Sequence, residues 1–174
     1  MFRLLMKFAA LASIAFLPLT SHSAAIKLMY VTTAYTDDGG NIIRRPEGIA
    51  CSEKSILVAD TGNGRLLKFS YQNNSLQGGS EIKAPQLQKP IRVQTNTKQE
   101  IFALDGKRLR IVRFDKNGKW MGDLEPKGLP QPSSIIPKSF YVGRNDDIYI
   151  LDMSASRVLV LDSVGNYKTH VEFP

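Results

Sequence analysis

The chain has 174 residues, with 23 Lys and Arg against 16 Asp and Glu, a net charge of +7, two His and one Cys. Its 43% hydrophobic content is enough for one ordinary core, and a single cysteine excludes an intramolecular disulfide. So few histidines argue against a zinc centre or a triad with a histidine base, and bases scattered outside Lys107–Arg113 argue against a nucleic-acid face. The first element in chain order is the N-terminal stretch, with Arg3 and Lys7, an apolar run from Phe8 to Leu19, and small residues at Ser21, Ser23 and Ala25. That pattern predicts a secretory signal peptide over residues 1–25, cut between Ser23 and Ala25, too short and wrongly flanked for a spanning helix. An uncleaved anchor is the alternative. The expected destination is the periplasm or the medium, with no membrane span after cleavage.

Residues 26–174 then read as an all-β array. A short strand in "KLMYVTT" resembles the outer strand of a sheet, and the glycine-rich "TDDGG" leads from it to Pro46. Three similar units follow, over about 41–87, 88–134 and 135–174. Asp60, Asp105 and Asp152 are 45 and 47 residues apart, and Arg65, Arg110 and Arg157 keep the same separations. Each unit opens on a proline (Pro46, Pro90, Pro137), crosses a polar turn into an apolar strand ending in Asp, and turns again into a strand that begins with Arg. The second and third units continue through "DKNG" and "DSVG" into a fourth strand at Trp120 and Tyr167, and the first carries the longer "SYQNNSLQGGSE" there. Four short strands joined by Gly, Asn and Asp turns describe one blade, which buries its two faces only by stacking on neighbours. The predicted fold is a β-propeller-like array of about three four-stranded blades, expected to be an incomplete ring because propellers close with about 4 to 8 blades. A β-helix or other β solenoid is the alternative.

The stretch "RRPEGIACSEKSILVADTGNGRLLKF" resembles the NHL repeat through Pro46, Gly48, Ile49, Ala50, Val58, Ala59, Asp60, Asn63, Arg65 and Phe69. The second unit keeps Pro90, Asp105 and Arg110, and the third Pro137, Asp152 and Arg157. The resemblance implies a six-bladed type of ring used as a module for binding protein, and sometimes nucleic acid or glycan. Lactonases and amidating lyases share such folds and draw metal ligands from several blades around the central channel.

A feature that recurs once per repeat builds the fold more often than it catalyses. The pairs Asp60–Arg65, Asp105–Arg110 and Asp152–Arg157 are therefore expected to be structural clasps, in which the carboxylate also accepts turn amides. No catalytic, cofactor-binding or metal residue is assigned. Cys51 is expected as a small apolar residue in a first strand, and His170 as a strand surface residue. Calcium is conceivable at Thr36–Asn41 and Asn145–Asp147, whose compositions are also those of ordinary turns. The sequence thus reads as an exported scaffold for a protein or cell-envelope ligand, more a binding module than an enzyme. The alternative is a fragment of an extracytoplasmic propeller enzyme of lactonase or lyase type. Three blades and a fraction are expected to belong to a longer protein with further blades, to pair as a homodimer of half-rings, or to stand as an open arc.

Overall fold

The computed structural model describes residues 28–52, 54–131 and 133–173. The chain divides into residues 1–30 and 31–174. Of the first unit only 28–30 are described, without regular structure, and the predicted signal peptide lies outside the described residues. Everything below concerns the second unit.

Its runs of alternating apolar and polar residues form twelve strands in three four-stranded antiparallel sheets. Blade 1 holds β1 (Gly48–Cys51), β2 (Ser55–Asp60), β3 (Arg65–Gln72) and β4 (Ser75–Ile82). Blade 2 holds β5 (Pro90–Thr95), β6 (Ile101–Asp105), β7 (Arg110–Phe114) and β8 (Trp120–Asp123). Blade 3 holds β9 (Pro137–Val142), β10 (Ile148–Asp152), β11 (Arg157–Leu161) and β12 (Tyr167–Glu172). Strand order follows chain order within each sheet, with β1 against β5 and β5 against β9, so the first strands of successive blades lie side by side. This is the all-β, propeller-like array read from the repeats.

Two local expectations fail. The first unit does not replace its last hairpin with a long connection: β3 and β4 are eight residues each and meet at Asn73 and Asn74, with φ of 49° and 59°. Two successive left-handed residues make the tight turn whose twist matches a hairpin, and Asn tolerates that conformation better than other side chains. Nor is "KLMYVTT" a strand over its described residues: before β1 there is only an isolated bridge between Thr36 and Ile42. Val31–Ala34 instead border a groove with Ile49, Ile56 and Val58, facing side chains of blade 1 and not running along a sheet edge that offers backbone partners.

Cross-strand register divides each blade into two faces. On one, Leu57, Ala59 and Leu66 of blade 1 pack with Val93, Ile101, Ala103, Val112 and Phe114 of blade 2. On the next contact, Phe102, Leu104 and Ile111 of blade 2 pack with Phe140, Val142, Ile148, Ile150, Leu159 and Leu161 of blade 3. The two contacts use the same repeat positions. Burial of these side chains drives the stacking, worth roughly 1.5–3 kcal/mol for each one fully removed from water. Gly48 admits the closest approach: a Cβ there would stand 2.9 Å from the Arg92 Cα. Among the described residues one face of blade 1 and one face of blade 3 have no blade against them, although Leu67 and Phe69 on the first are buried within the chain. Ile49 is 61% exposed on the first, and Tyr141 and Val171 are 55% and 59% exposed on the second. Cys51 is exposed as well, contrary to its expected packing, because its place at the end of β1 points it to the open side of blade 1.

Candidate functional site

Asp60, Asp105 and Asp152 end β2, β6 and β10, and each is fully buried. A buried carboxylate needs donors, and all three find one at the same place. Each accepts the backbone N–H of the residue sixteen positions earlier: Arg44 at 2.7 Å, Lys89 at 3.1 Å and Ile136 at 3.0 Å. The carbonyls of those same residues accept the N–H of Gly62, Gly106 and Met153 in return. The carboxylate therefore staples the segment that leads into each blade to the end of the blade's second strand. The sequence reading missed this staple, although the prolines that follow Arg44, Lys89 and Ile136 by one or two residues mark its position.

The arginines diverge. Arg65 Nε donates to Asp60 at 2.8 Å and Arg157 Nε to Asp152 at 3.0 Å. Asp105 and Arg110 face each other in the strand register, yet Arg110 Nη1 donates to Asp123 at 2.9 Å from a side chain 58% exposed. The amides of Gln88, Lys89, Lys107 and Arg108 already occupy the Asp105 oxygens. The guanidinium turns outward to the next strand. Arg65 also reaches Asp37 at 2.6 Å, which ties the segment before blade 1 to its sheet. The Asn41 side chain, with Arg65 and the Asn41 amide, outweighs burial and lowers the Asp37 carboxyl to about 2. Burial pushes Asp152 up, but the Ile136 amide, Ser154 and Arg157 more than offset it and hold its carboxyl below the usual range.

The turns between first and second strands converge from all three blades on one cleft of about 660 Å³. Lys54 and Lys68 come from blade 1, Thr95 and Gln99 from blade 2, Tyr141 and Arg144 from blade 3, and Cys51 lies at the margin. The turns hold each other. Asn96 Oδ1 accepts the amides of Lys98 at 3.1 Å and Glu100 at 2.8 Å, and Thr97 donates to Asp146 through its amide at 2.8 Å and its hydroxyl at 2.6 Å. That bond pins the blade 2 turn to the blade 3 turn. Asp147 is drawn to Lys168 at 2.7 Å, and this partner lowers its carboxyl below the usual range. Asp146 and Asp147 are thus spent on structure, and among the described lining residues there are three cations and no carboxylate. Such a recess stabilises negative charge, with hydroxyl and amide groups beside it for a polyol or peptide.

The cleft was not read from the sequence. Its only trace there is a cation or hydroxyl in the turn after the first strand of every unit, at Lys54, Thr97 and Arg144. In the two turns considered for calcium, Asp37 is engaged by Arg65 and Asn41, Asp146 by Thr97 and Asp147 by Lys168. Among the described residues no group of three or more His, Cys, Asp or Glu is placed to hold a metal. His170 lies on β12 with its Nδ1 2.6 Å from the Tyr167 hydroxyl, outside the cleft.

No protein-family model and no curated protein matches the chain. Solved propellers do. A streptogramin B lyase is similar over 74% of this chain at 21% identity and TM-score 0.53. A catalytically inactive histidine-to-alanine variant of virginiamycin B lyase from Staphylococcus aureus, with quinupristin, is similar over 74% at 16% identity and TM-score 0.52. Glutaminyl cyclase from Myxococcus xanthus is similar over 73% at 16% identity and TM-score 0.53. The chain spans 41% of the length of each lyase and 52% of the cyclase. At these identities the likeness carries the partial propeller fold, and neither the NHL family nor a count of six blades. It does overturn one expectation. The chain was read as more a binding module than an enzyme, and the solved propellers it resembles include lyases and a cyclase, so the fold gives that preference no support.

Proposed function

We propose that this chain is the three-blade portion of an exported propeller enzyme of lyase or lactonase type, whose substrate sits at the cationic cleft where the three blades meet. The carrying observation is the cleft itself: Lys54, Lys68 and Arg144 from two blades, with no carboxylate among the described lining residues, beside the polar side chains of the third. Cleavage of an ester or lactone develops negative charge on oxygen, and fixed cations in a recess stabilise that charge where it appears. The same cations bind a substrate that is already anionic. The enzymatic character of the propellers with similar folds supports the reading, and the activity of a complete ring extends beyond what these three blades alone supply.

The test is proton release by the full chain from a panel of lactones and cyclic depsipeptides, followed at constant pH. Saturable turnover is expected, reduced on the order of 10-fold or more in the Lys54→Ala/Arg144→Ala double variant. Turnover unchanged in that variant places the chemistry elsewhere. A folded, assembled protein with no turnover on the panel overturns the reading.

A further inference from the structure

In an antiparallel blade the first-to-second and third-to-fourth turns fall at one end and the staples at the other. The cleft lies at the turn end, and its positive charge continues past its rim. Thr97 and Gln99 line it, and Lys98 stands between them on the exposed tip of the blade 2 turn. Lys68 Nζ donates to the Lys116 carbonyl at 3.2 Å, which sets the cleft against the blade 2 hairpin that carries Lys116 and Lys119. The bases and acids of these turns are disposed oppositely. Lys54, Lys98, Lys116, Lys119 and Arg144 are all exposed. The described acids are buried or half-buried and bonded inward. Glu100 accepts the Asn96 side-chain amide at 2.7 Å, and Asp115 Oδ1 accepts the backbone amides of Asn117 and Lys119 at 2.9 and 2.8 Å. Asp146 and Asp147 take Thr97 and Lys168. The staple end differs, because Glu47 and Glu125 are exposed there among the bases.

A field of one sign that outreaches its recess suits an anionic chain better than a single small ion, since charges spaced along a polymer engage bases inside and beyond the rim. Between the bases the lining includes Ser52, Ser55, Thr95 and Gln99, hydroxyls and an amide that match the hydroxyls of sugars. Single-stranded nucleic acid asks instead for aromatic platforms among the bases, and Tyr141 is the one aromatic side chain in the described lining. We propose that the cleft takes an acidic polysaccharide, a chain of uronate sugars whose carboxylates pair with Lys54 and Arg144 within the recess and with Lys98 and Lys119 beyond it. The proposal names the substrate class of the cleft and rests on the reading of it as the substrate site. Binding measured apart from turnover separates the two.

Calorimetric titration of the full chain with a disaccharide and an octasaccharide of galacturonic acid tests it, beside a neutral glucan octasaccharide and an oligothymidylate of equal length. The uronate octasaccharide is expected to bind at least about 10-fold more tightly than the disaccharide, and to weaken by about 10-fold or more between about 50 and about 200 mM salt. The neutral glucan is expected not to bind. Lys98→Glu/Lys119→Glu is expected to cancel the gain with length while the disaccharide still binds, and Lys54→Ala/Arg144→Ala to weaken both lengths. All four side chains are exposed, so the sheets stay folded by circular dichroism. Affinity indifferent to chain length, equal binding of the neutral glucan, or tighter binding of the oligothymidylate overturns the proposal. Lactone turnover with no uronate binding defeats it and leaves the enzymatic reading standing. Length-dependent uronate binding with no turnover on the panel does the reverse.

Discussion

A carboxylate that is fully buried at the end of a strand is held there by what it binds, and the three repeat aspartates bind different sets. Asp152 joins a guanidinium that is only 3% exposed to two backbone amides and a hydroxyl. Asp105 takes four amides and no guanidinium. Removing Asp152 therefore strips the carboxylate from a deeply buried Arg157, and Asp152→Ala is expected to cost about 3 kcal/mol or more. Asp105→Ala leaves amides to find water and is expected to cost about 1–2 kcal/mol. Urea midpoints of the two variants check the order.

Acid sensitivity follows from the same groups. Asp37, Asp147, Asp152 and Asp162 are all held below the ordinary carboxylate value of 3.8, Asp37 at about 2. A depressed folded value means that the stabilisation is complete above the unfolded value and is lost as pH falls through the folded one. The urea midpoint is expected to hold steady down to about pH 4 and to fall steadily from there toward about pH 2. Asp37→Asn should flatten the lowest part of that fall. A midpoint independent of pH in this interval contradicts the assignment.

At the scale of the element, turn chemistry and close approach decide what the sequence made legible. The repeated Asp, Pro and Gly/Asn/Asp turns located every sheet, because the staple and the tight hairpins demand those residue types. The first hairpin was obscured because its turn, Asn73–Asn74, lies inside a long polar run with no Gly at the bend itself. "KLMYVTT" is an apolar, β-prone run, but such a run specifies only burial, and it can be buried by packing across a sheet as well as by pairing along it. Arg110 was misplaced because spacing fixes which backbones meet, and not which donors reach a carboxylate first. The cleft stayed hidden for a related reason: its residues come from three turns that only the stacking of blades brings together. Gly48 offers a direct probe of that stacking. Gly48→Ala drives a methyl group into the Arg92 backbone 2.9 Å away, and is expected to lower stability by about 1–3 kcal/mol, read from the thermal midpoint. The substitution of Asn74 by Gly keeps the left-handed turn and is expected to change the midpoint little.

For the whole molecule, the export reading makes its own prediction. N-terminal sequencing of extracytoplasmic protein is expected to show a start between Ser23 and Ala25, and a product confined to the cytoplasm with Met1 intact would refute it. Among the described residues no helix is long and apolar enough to cross a membrane. The staple has one more consequence, for how such a chain changes in length. Every pair of staple partners, Arg44 with Asp60, Lys89 with Asp105 and Ile136 with Asp152, lies within a single unit. A stretch of gene copied from just before one staple to just before the next carries both halves of its own fastening, whereas a cut between the partners spoils the unit it falls in. Duplication and deletion in whole multiples of the unit therefore leave every remaining blade self-fastened, and the blade count can drift without new residues having to arise at the joins.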